Sequence, residues 1–446
     1  MHNEQGRRFD TPRQRLRASL AAATRTNPEE WFPVFKARYG MEIVFDQLRQ
    51  HRHRGSGAPA GSSAIGRASK SSAGSVVTQL FTCCTAIDPI LAAGLEPVYA
   101  DIDPGTMAID PSRAEDAISN VSTLAVVLQH TFGIIDDASS RTFAATTRRL
   151  NPQALLVEDC AHCVARLARD AGHRPLADVS VHSFGVEKVL PTRFGGALWL
   201  NPELGRRDPQ LHADLTTALE ALPEPDSVLN RVCKAYVAEN HVLGRLGPME
   251  TVARAWLQKH GLYEPPISES ERRGGLAYRP MGMSAWMEGK AAAALDSLGA
   301  NYRLRQRNAE LYADGLKECR ETGQLSLPRS METMAAGRMQ PVLRFPFLAP
   351  DAAAADRIIA AVRRAGVLAE RWYRPQLFPG VEDPEAYRVP RDRSSLAQGD
   401  TVSDRIVCLP TDLPDERVRL AVKTVADAVK PLTTLPARDG KNEGKA

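Results

Sequence analysis

Between residues 75 and 200 the chain alternates short apolar runs with amphipathic stretches. The runs at 75–79, 97–100, 123–130, 154–158, 179–183 and 196–200 show no clean polar/apolar alternation, as expected of strands covered on both faces. Helix-like stretches fall between them at 84–93, 111–118, 137–149 and 160–168. Strands that alternate with helices predict an α/β domain built on a mostly parallel sheet. Ahead of this region, residues 9–35 are polar with a helical flavour and end in Trp31, Phe32 and Phe35. A helix is expected from about Gly40, because Val44 and Phe45 lie four and three residues before Leu48. Residues 55–74 are rich in Gly, Ser and Ala and read as a flexible insertion.

Residues 203–270 look largely helical. A long helix is expected from 284 to 316, with Ala291, Ala294, Leu295 and Leu298 on its apolar face. A smaller α+β unit follows: strand 340–348, helix 351–365, strand 405–409 and helix 415–429. The predicted organisation is a helical extension at 1–35, a large domain at 36–270, a long helix with a small C-terminal domain at 271–435, and a disordered tail at 436–446.

The 446 residues carry a net charge of +4, with 43% hydrophobic and 25% charged positions. That balance is ordinary for a globular protein and makes no case for nucleic acid as a partner. No apolar run is long enough to span a bilayer and no secretory leader pattern opens the chain, so no membrane partner and a cytoplasmic location are expected. The seven cysteines are read as reduced interior thiols. Cys160, His162 and Cys163 lack a second pair of ligands nearby, so no metal is expected. His130 reads as a hydrogen-bonded strand-end residue.

In open α/β sheets, ligands sit at the carboxyl ends of the strands. Asp159 follows the run 154–158. Ser183 closes the run 179–183, and Lys188 lies five residues on. Two neighbouring strands would thus deliver an acid and an amine to one crevice. Such a pair suits pyridoxal 5′-phosphate: the amine forms an imine with its aldehyde, and the carboxylate keeps its ring nitrogen protonated. Each residue alone is weak: an Asp there is often a helix cap, and a lone Lys is usually a surface residue.

Four segments together are more specific. They are "FTCCTAIDPILAAGLEPVYADIDPGTMAIDP" from Phe81, "HTFG" at 130–133, "VEDCAH" at 157–162 and "HSFGVEK" at 182–188, followed by Gly195-Gly196. This set resembles the nucleotide-sugar aminotransferases of the DegT/StrS type, which are fold-type I pyridoxal phosphate enzymes. Weaker likeness extends to "AYRPMGMS" at 277–284 and "VCLPTDLPDERV" near Cys408.

The resemblance implies a fold-type I architecture with a seven-stranded type of sheet and a small C-terminal domain. It implies pyridoxal 5′-phosphate as cofactor and Lys188 as the Schiff-base lysine. Asp159 would pair with the ring nitrogen, His162 would stand near the phenolic oxygen, Phe81 would stack on the ring, and Ser183 would bind phosphate. An amino donor such as glutamate or glutamine and a keto-sugar acceptor, nucleotide-linked, would react in ping-pong order, in polysaccharide or secondary-metabolite biosynthesis. A homodimer with the active site at its interface is implied too. Lys188 argues against the family's sugar dehydratases, which carry His there. A lyase or transaminase acting on a non-sugar ketone, or a protein of this fold that has lost turnover, stay open beside this reading.

Two places depart from the family pattern, and two arginines stand near the candidate site. Tyr39-Gly40-Met41-Glu42 stands for the usual hydroxyl-bearing phosphate turn, with Met41 in place of the hydroxyl; equally, Gly40 only separates two helices. Ala277 replaces an Asn two residues before Arg279, removing one contact expected toward the partner's phosphate. Arg193, in the lysine loop, either meets a phosphate or substrate anion or is a solvated loop residue. Arg374, with Arg371, Trp372 and Tyr373, either greets an anionic substrate or belongs to a packed strand edge, the expectation for Trp372 and Tyr373.

Overall fold

The computed structural model describes residues 11–55, 74–190, 192–332 and 338–429. The tail at 436–446 and nearly all of the 55–74 insertion therefore lie outside the described residues.

The strands are β1 (Trp31–Val34), β2 (Ser75–Gln79), β3 (Glu96–Ala100), β4 (Ile102–Asp103), β5 (Ala108–Ile109), β6 (Thr123–Gln129), β7 (Leu155–Asp159), β8 (Val179–Ser183), β9 (Gly196–Leu200), β10 (Arg344–Leu348) and β11 (Ile406–Pro410). Seven of them form the main sheet in the order β1-β9-β8-β7-β6-β2-β3. From β3 to β8 neighbours run parallel, whereas β9 is antiparallel to both β8 and β1. β6 and β7 are buried along their whole length, as expected of strands covered on both faces. On one face, Val44, Phe45 and Leu48 of the helix Ala37–Gly55 pack with Val157, Val181 and Leu198. On the other, Ile118 and Phe143 of the helices Pro111–Ser119 and Asp137–Leu150 pack with Val126 and Leu156. The expected α/β architecture is present.

Three local expectations fail for identifiable reasons. The segment read as helical through residue 35 turns into strand β1 at Trp31, which pairs with Trp199 of β9. Burial of Trp31 and Phe32 against the sheet outweighs the helical flavour before them. Residues 160–168 form turns instead of a helix. Three amides there are taken by side chains: Asp159 accepts from Ala161, His182 Nδ1 from Ala165 and Glu158 from Ala168, leaving no helical ladder. The long helix expected at 284–316 breaks into Ala285–Leu295 and Leu298–Gly315. At the break, Ser297 Oγ donates to the Ala294 carbonyl at 2.9 Å, a bond that competes with helix continuation.

The C-terminal unit pairs β10 with β11 under the helices Ala352–Arg364 and Asp415–Val429. Buried Arg305 ties it to the second half of the broken helix. Its Nη1 donates to the Leu343 carbonyl at 3.0 Å and to Thr411 Oγ1 at 2.9 Å. Among the described residues, no helix is long and apolar enough to cross a membrane.

Candidate active site

Strands β7 and β8 are adjacent and parallel, with Asp159 opposite Val181. Their carboxyl ends therefore open at the same edge of the sheet. Asp159 is the last residue of β7 and Ser183 the last of β8. The turn after β8 returns Lys188 over that edge, its amide bonded to the Gly185 carbonyl at 3.3 Å. Asp159, Ser183 and Lys188 line one cavity of about 300 Å³. His162, Met41 and Arg193 line it as well.

The other expected residues lie elsewhere. Phe81 is buried behind the cavity, edge-on to Phe132 and to Tyr373; Cys83, two residues on, lines the wall instead. Gly40 lies inside the first turns of the helix Ala37–Gly55, packed so closely on the sheet that a Cβ would fall 2.0 Å from Leu198 Cδ1. The start of that helix, at Ala37 and Arg38, is what faces the cavity. The end of this helix that meets the cavity is therefore its N-terminal one, the end that suits an anion. Arg279 is exposed beside Pro223, Glu224 and Asp226, in a separate depression. Arg374 pairs with Asp356 at 2.7 Å and does not line the cavity.

Two glycines set the helix start against β9. Gly195 has φ +109, a backbone state that favours glycine. At Gly196 a Cβ would stand 2.8 Å from both the Ala37 amide nitrogen and the His182 carbonyl oxygen. The basic side chains that flank this start are already engaged. Lys36 pairs with Glu264, which also accepts from the Tyr278 hydroxyl at 2.6 Å, and Arg38 pairs with Glu271 at 2.7 Å.

The electrostatics fit an acid and an amine that await a partner. Burial raises Asp159 above the ordinary carboxylate range, opposed by the Ala161 amide at 2.9 Å and by the charge of Lys188. Burial lowers Lys188 below the ordinary lysine range, opposed by Cys83 and Asp159. Among the described residues Lys188 makes no ion pair; its Nζ stands 5.5 Å from the centre of the Trp372 ring. Beneath Asp159, Glu158 is bound by His130 at 2.7 Å, by the Ser180 hydroxyl at 2.6 Å and by the Ala168 amide at 2.6 Å. These bonds leave the first of the two adjacent acids inert and the second exposed to the cavity.

The far wall was not read from the sequence. Trp372 and Tyr373, expected at a strand edge, are almost fully buried and close the cavity opposite the strand tips. The Trp372 ring stacks on His162, with centroids 5.3 Å apart and planes 17° from parallel. The aromatic and basic run 371–374 is visible in the sequence, but its place at the cavity is set only by the packing of the C-terminal unit.

This donor set fits pyridoxal 5′-phosphate. A buried acid short of a counter-charge suits a protonated ring nitrogen, an unpaired lysine suits an aldehyde, and the Ser183 hydroxyl with the helix start suits a phosphate.

Residues 55–213 match the profile of the DegT/DnrJ/EryC1/StrS aminotransferase family. That segment is similar to this family along its length. The likeness seen in the motifs therefore holds, and the matched segment includes Asp159, Ser183 and Lys188. The chain is 34% identical over 137 residues to the L-glutamine:2-deoxy-scyllo-inosose aminotransferase of Streptoalloteichus tenebrarius, which covers 30% of this chain and 31% of that protein. It is 32% identical over 128 residues to the spore coat polysaccharide biosynthesis protein SpsC of Bacillus subtilis, covering 29% of this chain and 32% of that one. The matched stretches thus span about a third of these curated relatives. The fold agrees over a far greater length. The aminotransferase TlmJ of Streptoalloteichus hindustanus superposes with a TM-score of 0.62 at 20% identity, covering 94% of this chain and 91% of that one. The PLP form of the sugar aminotransferase Spr1654 of Streptococcus pneumoniae gives 0.64 at 16% identity, covering 96% and 93%.

Proposed function

We propose that the protein is a pyridoxal 5′-phosphate-dependent sugar aminotransferase. The observation that carries this reading is the meeting of Asp159 and Lys188 in one cavity at the tips of adjacent parallel strands, within a segment that matches an aminotransferase family. In this reading the cofactor supplies an aldehyde on an electron-withdrawing ring, which lets nitrogen be taken from one substrate and given to another. Lys188 Nζ holds the cofactor and then moves the proton between carbon atoms. Its basicity, lowered by burial, favours the neutral amine that both tasks need. Asp159 holds the proton on the ring nitrogen. Ser183 and the amides at the start of the helix Ala37–Gly55 hold the phosphate. Trp372 and Tyr373 exclude water from the side opposite the sheet.

The amino donor in this reading is glutamate or glutamine, and the acceptor a keto-sugar, nucleotide-linked by the motif resemblance. A free keto-inosose is the second reading for the acceptor, favoured by the name of the Streptoalloteichus tenebrarius relative. We also propose a homodimer. The helices Ser227–Leu243 and Glu250–Lys259 expose Val237, Val252 and Trp256, and the chain that follows them reaches the cavity through Pro266 and Ile267. An apolar row of this kind marks an association surface; a one-chain mass by sedimentation at micromolar concentration would overturn the dimer.

The reading is tested by an absorbance scan of the purified protein with added pyridoxal phosphate, before and after glutamate or glutamine. A visible cofactor band that is replaced by a near-ultraviolet one is expected. A protein that stays colourless with the cofactor would overturn the proposal.

A further inference from the structure

The hydrogen bonds around His162 determine which of its nitrogens carries the proton. The backbone amide of Phe132 donates to His162 Nδ1 at 3.0 Å. An amide can only donate, so Nδ1 is a lone-pair acceptor and the neutral ring carries its proton on Nε2. That Nε2 lies 3.1 Å from the Tyr373 hydroxyl. The Nε2–H therefore donates, and the Tyr373 oxygen accepts. Both ring nitrogens are then occupied, and His162 has nothing left to offer a ligand. The Tyr373 hydroxyl still has its hydrogen, and no other partner for it occurs among the described residues. Tyr373 lines the same cavity as Asp159 and Lys188.

The tyrosine is held firmly. Its carbonyl accepts from Ser403 Oγ at 2.7 Å, and Phe81 meets its ring edge-on with centroids 5.4 Å apart. Burial keeps the phenol protonated, well above its ordinary range, and burial together with the charges of Lys188 and Arg344 keeps His162 neutral.

We propose that Tyr373, and not His162, meets the ligand at this end of the cavity, donating its hydroxyl hydrogen to the phenolate oxygen of the cofactor ring, while His162 acts as a positioning residue that aims the hydroxyl. The proposal rests on the cofactor reading above. A donated hydrogen bond favours the ionised form of its acceptor, so Tyr373 lowers the pH at which the bound cofactor gives up its proton.

The test is a pH titration of the visible band of the cofactor-loaded protein. Tyr373→Phe is expected to raise the midpoint by about one pH unit, a tenfold change in proton affinity. His162→Leu, which can neither accept from Phe132 nor donate to Tyr373, is expected to shift it in the same direction. His162→Gln offers a carbonyl and an amide in those two places and is expected to restore the wild-type midpoint. A Tyr373→Phe midpoint equal to wild type, or a His162→Gln shift as large as that of His162→Leu, would overturn the assignment and leave the cofactor reading standing. A wild-type protein with no band would remove both. ¹⁵N shifts of His162 in histidine-labelled wild-type protein need no variant to fold: the Nε2–H tautomer is expected, and the Nδ1–H tautomer would overturn the relay.

Discussion

The tips of β7 and β8 face the Trp372–Tyr373 wall across one cavity, but the two sides are held in different ways. The tips are set by bonds close in sequence: Asp159 to the Ala161 amide, Glu158 to the Ala168 amide, and the parallel ladder itself. The wall is set by groups far along the chain. Cys408 Sγ donates to the Trp372 carbonyl at 3.3 Å and Ser403 Oγ to the Tyr373 carbonyl. Tyr387, beyond the wall, donates to Asp88 at 2.7 Å and accepts from the Gly274 amide at 3.0 Å. One side is therefore fixed as soon as the sheet forms, whereas the other depends on how the C-terminal unit docks.

Removing the amine from the tips is the most drastic way to probe this contrast. Lys188→Ala is expected to abolish the cofactor's visible imine band and lower transamination by roughly a thousandfold or more, with the far-ultraviolet spectrum unchanged. An imine band that survives the substitution would show that the tips do not carry the chemistry.

A smaller effect is expected where the tips meet the helix start. Gly196→Ala places a methyl group against two backbone atoms that have no rotamer by which to yield. A loss of about 2 kcal/mol in urea unfolding is expected, together with weaker cofactor binding, since the helix start must move. Unchanged stability would mean that helix and sheet part more easily than their packing suggests.

The smallest expected effect tests the anchor of the wall. Burial pushes Asp88 up to about 9. The folded chain thus holds a proton there that the unfolded chain has released at a lower pH. The stability tied to that proton is complete below the ordinary aspartate range and is lost as pH climbs towards 9. Asp88→Asn mimics the protonated form and keeps an acceptor for Tyr387. It is expected to gain stability relative to wild type as pH rises from 5 to 8. A gap independent of pH would contradict the assigned protonation.

The contrast also explains what could be read from the sequence. Asp159, Ser183 and Lys188 sit in contiguous segments at strand ends, where the chain pattern alone specifies position. The alternation of elements led in the same way to the sheet. The segment 160–168 misled because its helical composition is overridden by side chains that capture its amides. The sequence points to a helix start at Gly40 and Met41, whereas the helix begins at Ala37. Phe81 matched a stacking position by motif, yet it packs behind the ring of Tyr373. For Trp372 and Tyr373 the sequence leaves a substrate contact and a packed edge open, since nothing near them records that His162 and Lys188 will be their neighbours.

β1, at one edge of the main sheet, is the first of its seven strands to be synthesised, and its hydrogen-bonding partner β9 is the last of them. Through most of the synthesis of this sheet, Trp31 and Phe32 have no place to be buried. Completion of the domain must wait until residue 200 has left the exit tunnel, a delay inherent in so non-local a pairing. Chains stalled before that point would leave the first strand open to proteases, while chains released after it would not.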